Sequence, residues 1–218
     1  MKRIKKVMVL LMALCLLLAV GCGNKKELTL GETKDNVYTN EYFGLEAKLP
    51  EGWVNLDRET IDEINKAGNE LVANGDEKKK EQLDKLSEKK ALTFLMQYKY
   101  ELGSVTLNPG LTITSEKLSF LQGINSGEKY LGIIQEQLKG LEAVPYTVSD
   151  EIVTKSINDV EWSLLEASID LGNGSVYKQE FYCVLREGYA VLVNANYTDE
   201  DGKEEMEQFI QGLKINKK

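Results

Sequence analysis

The 218-residue chain contains no histidine, which removes at one stroke the commonest general base and the commonest metal ligand. Cysteine is almost as scarce, at positions 15, 22 and 183 only. Cations are outnumbered, with 27 Lys and Arg against 35 Asp and Glu and a formal net charge of −8. No basic stripe interleaved with aromatic residues offsets that balance. Such a body is repelled by phosphate backbones, so nucleic acid is not an expected partner. It is repelled equally by anionic lipid headgroups. Long apolar runs are missing except for Val7–Val20, whose 14 residues fall short of the roughly 17–25 needed to span a bilayer. Gly-x-Ser-x-Gly, Walker and dinucleotide-binding motifs are absent as well. The expectation is a protein that is not an enzyme and that uses no cofactor and no metal.

What is present starts with a leader. Four cations (Lys2, Arg3, Lys5, Lys6) precede the apolar run, and small residues follow it, the order of a secretory signal. Its end, Leu18-Ala19-Val20-Gly21-Cys22, resembles the lipobox of bacterial lipoproteins. The resemblance implies cleavage after Gly21, a diacylglycerol on the Cys22 thiol and further acylation such as palmitate. One chain binds a membrane marginally, at about 0.8 kcal/mol per buried CH₂, whereas two hold it stably. The implied location is the extracytoplasmic face of the cell membrane. A lysine-rich, arginine-poor chain with this leader looks like a Gram-positive surface lipoprotein.

Residues 1–21 would then be removed as a signal peptide, taking Cys15 and four cations and leaving a net charge of about −12. Cys183 remains as the only thiol beside the lipidated one, so no intramolecular disulfide can form and the fold stands on its core. Residues 22–36 read as the lipidated cysteine and a flexible tether. Residues 37–218 read as a single α+β domain with a charged helical insert at 76–90.

Periodicity supplies the elements. Phe43, Leu45, Ala47 and Leu49 alternate on a strand ended by Pro50. Arg58–Ala73 reads as a helix with Ile61, Ile64, Leu71 and Val72 on one face and capping-box spacing at Thr60-Ile61-Asp62-Glu63. The insert has i,i+4 pairs such as Glu81–Lys85 and reads as a solvated helix. From Ala91, period two puts Leu92, Phe94, Met96, Tyr98 and Tyr100 on one face. A strand at 111–114 follows, then a helix capped by Ser126 with Tyr130, Ile134, Leu138 and Leu141 on its packed face. A meander of strands near 146–157, 160–171, 176–186 and 189–198 has turns at Asn158-Asp159, Gly172-Asn173-Gly174 and Glu187-Gly188. A helix at about 201–212 closes the chain, with Met206, Phe209, Ile210 and Leu213 on one side. The fold class is α+β, an antiparallel sheet of about six to seven strands flanked by three or four helices.

Three Ser-x-x-Lys matches (Ser87–Lys90, Ser126–Lys129, Ser175–Lys178) lack the partner motifs of penicillin-binding enzymes. Asp199-Glu200-Asp201-Gly202 misses the ligand spacing of a calcium loop and reads as acids at a helix start. Alternation beside Phe181 and Leu185 makes Cys183 a buried structural thiol. Tyr42-Phe43-Gly44 with Leu49-Pro50-Glu51-Gly52-Trp53 resembles the opening strand of PsbP-like and DcrB-like proteins. The resemblance covers about residues 37–216 and implies an antiparallel sheet sandwiched by helices. It implies a non-catalytic accessory or assembly role and carries over no catalytic residue.

The function expected is therefore a membrane-anchored accessory or binding module whose partner is an envelope protein or a small ligand. The alternatives are a solute-binding lipoprotein of a transporter and an envelope enzyme working with carboxylates alone. An enclosed pocket at Tyr98, Tyr100 or Trp162 would favour a ligand, and an exposed apolar patch over a filled core a protein partner. Replacing Cys22 with alanine is expected to leave the fold intact and release the protein from membranes. A Cys22→Ala variant that still sediments wholly with membranes overturns the lipoprotein reading.

Overall fold

The computed structural model describes residues 27–89, 91–105, 108–119, 123–141, 144–172 and 174–217. The leader, Cys22 and the first part of the expected tether lie outside the described residues. An eight-stranded antiparallel sheet is formed by β4 (Val54–Asn55), β5 (Ala91–Tyr98), β6 (Gly110–Lys117), β7 (Tyr146–Val148), β8 (Val153–Ile157), β9 (Val160–Asp170), β10 (Val176–Arg186) and β11 (Tyr189–Tyr197). Its spatial order is β4-β5-β6-β11-β10-β9-β7, with β8 also paired to β9. A second sheet holds β1 (Glu32–Lys34), β2 (Val37–Asn40) and β3 (Leu45–Lys48). The described helices are α1 (Arg58–Ala73), α2 (Glu77–Lys89), α3 (Gly127–Lys139) and α4 (Glu200–Gly212).

The two faces of β9, β10 and β11 are both apolar, so each needs its own cover. On one face Trp162, Leu164, Tyr182, Val184, Val191, Val193 and Ala195 pack with Phe43, Leu45, Ala47 and Leu49 of the small sheet and with Met206, Phe209 and Ile210 of α4. On the other, Leu165, Phe181, Cys183 and Ala190 pack with Tyr130 and Leu131 of α3. Consecutive Leu164 and Leu165 are both buried because the strand is covered on both faces and not because it bulges, since the β9–β10 register runs unbroken through both residues. Helix α3 starts on Ser126, whose Oγ accepts from Lys129 N at 3.2 Å.

Several expectations are corrected. Residues 32–36, assigned to the tether, form β1 and its turn, with Asp35 and Asn36 at positive φ. Further back, Thr29 and Leu30 are bound through their carbonyls to Asn40 Nδ2 and Tyr38 Oη. Strand Leu45–Lys48 joins the separate three-stranded sheet, and the main sheet has eight strands where six or seven were expected. Asp57, not Thr60, caps α1, accepting from Thr60 N at 2.8 Å. Those hydrogen bonds hold the Asp57 carboxyl below its ordinary range. Val72, placed on the packed face of α1, is exposed. The stretch 146–157 is two strands that pair with successive parts of β9.

Strand β5 departs most from the sequence pattern. Its register against β6 slips between Thr93 and Leu95, a bulge that carries the following residues to the opposite face. Leu95 thus joins Phe94 in the main core. Gln97 follows it inward and is 1% exposed, with neither Nε2 nor Oε1 finding a partner among the described residues. A buried, unpaired amide costs about 1–3 kcal/mol. Gln97→Met is accordingly expected to raise stability by about that amount, read from the midpoint of urea unfolding. A midpoint that falls would show that the amide is satisfied in solution, for instance by an internal water.

A forked sheet as the candidate functional site

The largest by volume of three hollows among the described residues arises where two neighbouring strands part. β9 pairs with β10 from Asp170–Val176 to Ser163–Cys183 and then stops. Both strands continue on their other sides: β9 stays paired to β8 as far as Val160, and β10 stays paired to β11 as far as Arg186. Residues 160–162 and 184–186 therefore face each other as the prongs of a fork.

Local sequence explains the parting. Asn158 and Asp159 take positive φ (48° and 61°) in the two-residue turn between β8 and β9. Asn158 Nδ2 donates to Gln211 O at 2.9 Å and Leu213 O at 2.7 Å, carbonyls at the end of α4 that have no helical partner. The hairpin tip is thereby tied to α4, and Ile157, Val160 and Trp162 enter the main core. β10 is held in line with β11 instead. At the crotch sits Gly127, the first residue of α3, where an added Cβ would lie 2.7 Å from Cys183 O and 2.9 Å from Ser163 Oγ. Only glycine allows that approach.

The resulting cleft has a volume of about 810 Å³, and its lining includes Asn125, Gly127, Trp162, Val184, Arg186 and Lys217. The two-residue turns at Asn158-Asp159 and Glu187-Gly188 fix which main-chain groups point into it. In such hairpins the residues flanking the turn form a hydrogen-bonded pair, and the pattern then alternates. Residues 160 and 162 thus bond towards β8, and 184 and 186 towards β11. The N–H and C=O of Glu161 and Leu185 point into the fork, on the rung that the ladder would have formed next. Arg186 Nη1 donates to Leu185 O at 2.8 Å, and its Nε donates to Asn216 O at 2.7 Å. Lys217 Nζ lies 3.2 Å from Asp159 Oδ2 and ties the C-terminal tail to the hairpin tip.

Two further hollows are described. One, of about 640 Å³, lies beside the start of β5. Its polar walls are bonded to one another: Arg58 to Asp62 and Thr93 O, Asn65 to Thr93, and Asn69 to Asp84. The other, of about 250 Å³, is a trough on β9 and β10. There Glu166 and Glu180 are direct cross-strand partners. Glu180 accepts from Tyr182 Oη at 2.7 Å and Tyr197 Oη at 2.9 Å. Burial, then Glu180, pushes the Tyr182 hydroxyl well above its ordinary range, and Tyr197 is raised by the same causes.

The residues singled out by sequence scatter. Trp162 lines the fork but is itself 1% exposed, while Tyr98 and Tyr100 line none of these three hollows. Tyr100, Leu102 and Val105 are exposed in the connection after β5. Asp199 caps α4, accepting from Gly202 N at 2.8 Å, so the acids there have a structural use. Among the described residues, no group of three or more Cys, Asp or Glu side chains is arranged to hold a metal. The fork was not legible in the sequence, though the Ser126-Gly127 helix start and the Asn158-Asp159 turn that build it were.

The first of the compared solved structures is the solution structure of cyanobacterial PsbP (CyanoP) from Synechocystis, with a TM-score of 0.51 over 91% of this chain and 99% of that one, at 8% identity. The fold is PsbP-like. LpqN, involved in cell envelope biogenesis of Mycobacterium tuberculosis, aligns at a TM-score of 0.39 and 14% identity, over 59% of this chain and 80% of that one. No protein-family model and no curated protein matches the sequence.

Within this PsbP-like fold, Cys183 lies against α3, and burial pushes its thiol from 9.0 up to about 12. The unfolded thiol ionises first, so its contribution to stability is complete below about pH 9 and is lost as pH rises towards 12. Tyr38, raised from 10.0 to about 12 by burial, acts in the same direction. Cys183 is expected to resist iodoacetamide in the native protein near pH 8 and to react fully in urea. The unfolding midpoint should fall as pH climbs from about 9 to 12. Rapid native labelling would show that the α3 layer opens easily.

Proposed function

We propose that the chain is a membrane-anchored, extracytoplasmic lipoprotein that acts as a non-catalytic accessory or binding module. The observation that carries the binding half is the fork: a concave site of ligand-binding size where the main-chain N–H and C=O of Glu161 and the N–H of Leu185 lie among polar side chains such as Asn125, Glu128 and Lys217. Three of the side chains there that could do chemistry have structural work. Ser126 caps α3, Ser163 lies against Gly127, and Cys183 is a buried thiol. The anchoring half rests on the leader and Cys22, and the PsbP-like fold supports an accessory role by likeness.

A carboxylate-dependent enzyme is the second reading, and the Glu166–Glu180 cross-strand pair is the observation on its side. Both Glu180 oxygens accept tyrosine hydroxyls, which suits a structural acceptor better than an acid or base. The two readings separate in a pair of assays, one on native membranes and one on the purified chain. Cross-linking is expected to recover the same envelope partner repeatedly, and the purified chain should show no turnover of chromogenic glycoside substrates. Turnover that disappears in Glu166→Gln would establish the enzyme reading, and failure to recover a partner in repeated trials would remove the accessory one.

A further inference from the structure

We propose that the fork between β9 and β10 is a docking cleft for an extended segment of a partner protein, which adds between the prongs as a short strand. The inference rests on the binding-module reading and names the chemistry of its partner. The Glu161 N–H and C=O and the Leu185 N–H face the cleft on the missing rung, and no described residue accepts from or donates to them through the sheet ladders. A small molecule would have to match two strand edges at once. An extended main chain does so by construction, presenting N–H and C=O alternately to both sides.

The prongs set the length and character of the segment. Three residues on each side, 160–162 and 184–186, correspond to roughly 10 Å of extended chain. One face of the inserted strand would lie over Trp162 and Val184, which belong to the main core. That position takes a small or apolar side chain. The opposite face meets Asn125, Ser126 and Glu128 at the start of α3 and takes a polar one. The fork is held open by Gly127 at the crotch and Asn158 at the tip, so the site is largely formed before the partner arrives, which lowers the ordering cost of binding.

The test uses the full chain purified in detergent and a synthetic library of nine-residue peptides with alternating small apolar and polar residues. Peptides selected from it are expected to slow amide exchange at residues 160–162 and 184–186. N-methylating alternate amides of a selected peptide, which removes one edge of donors, should weaken binding at least about tenfold. Glu161→Pro should do the same, whereas Glu161→Ala should leave binding within about twofold, because the main chain and not the carboxylate is used. Position 161 makes no ladder bond to β8, so proline is best tolerated there, and the N-methyl peptides give the answer without altering the protein. Failure to select any binder, protection confined to other segments, or full binding by the N-methylated peptides each overturns the proposal. Protection of the same residues by raising protein concentration without peptide would replace the partner with a second copy of this chain and overturn it too. Partner recovery from membranes tests the accessory role separately, so the two can fail independently.

Discussion

Three strands with two apolar faces set the terms for the whole molecule. β9, β10 and β11 carry apolar side chains on both sides, down to consecutive Leu164 and Leu165. A sheet of that kind is stable only between two layers. Here one layer is α3, and the other is α4 together with the small β1–β3 sheet. With Cys183 free and buried, no covalent tie holds these layers in place. Contact alone fixes them, which is why Gly127 touches the sheet so closely and why Asn158 reaches across to the end of α4.

The fork follows from a competition that magnitudes decide. Keeping β9 and β10 zipped to their ends would add the rung between Glu161 and Leu185, and a backbone hydrogen bond contributes about 0.5–1.5 kcal/mol net. Parting them lets Ile157, Val160 and Trp162 join the main core. Each such side chain contributes about 1.5–3 kcal/mol on burial. Asn158 adds two hydrogen bonds to otherwise unpartnered helix carbonyls. Burial wins over pairing, and the cleft is the geometric consequence.

This competition also marks how far the sequence could be read. Helix Arg58–Ala73 was legible to its ends, although period placed the exposed Val72 on its packed face. The face of β10 that carries Phe181 and Cys183 was legible from alternation alone. The cap on Asp57 was missed because Thr60 offers an equally good local pattern, and only the main-chain geometry at residue 57 separates them. The bulge in β5 was missed, since Leu92, Phe94, Met96 and Tyr98 keep period two and only Leu95 breaks it, while burial at every position from Thr93 to Gln97 arises once α1 and the core are both in place. Pairing limits were out of reach altogether. Period reveals that a strand exists and which side is apolar, but not where its neighbour leaves it.

Open strand edges invite aggregation, and the rest of the fold explains why this one can be kept. The edges lie inside a cleft and not along the rim of the sheet. Arg186 covers the Leu185 carbonyl, and Lys217 joins Asp159 at the hairpin tip. Inward-pointing charge and short edges are devices that keep one sheet from adding to another. A three-residue gap with a guanidinium at its side offers too short an edge for a second sheet to extend. Recognition through main-chain groups also needs no histidine, metal or activated nucleophile. The residues this chain lacks are ones that such a site does not use, and the shape that provides it comes from burying the tryptophan beneath.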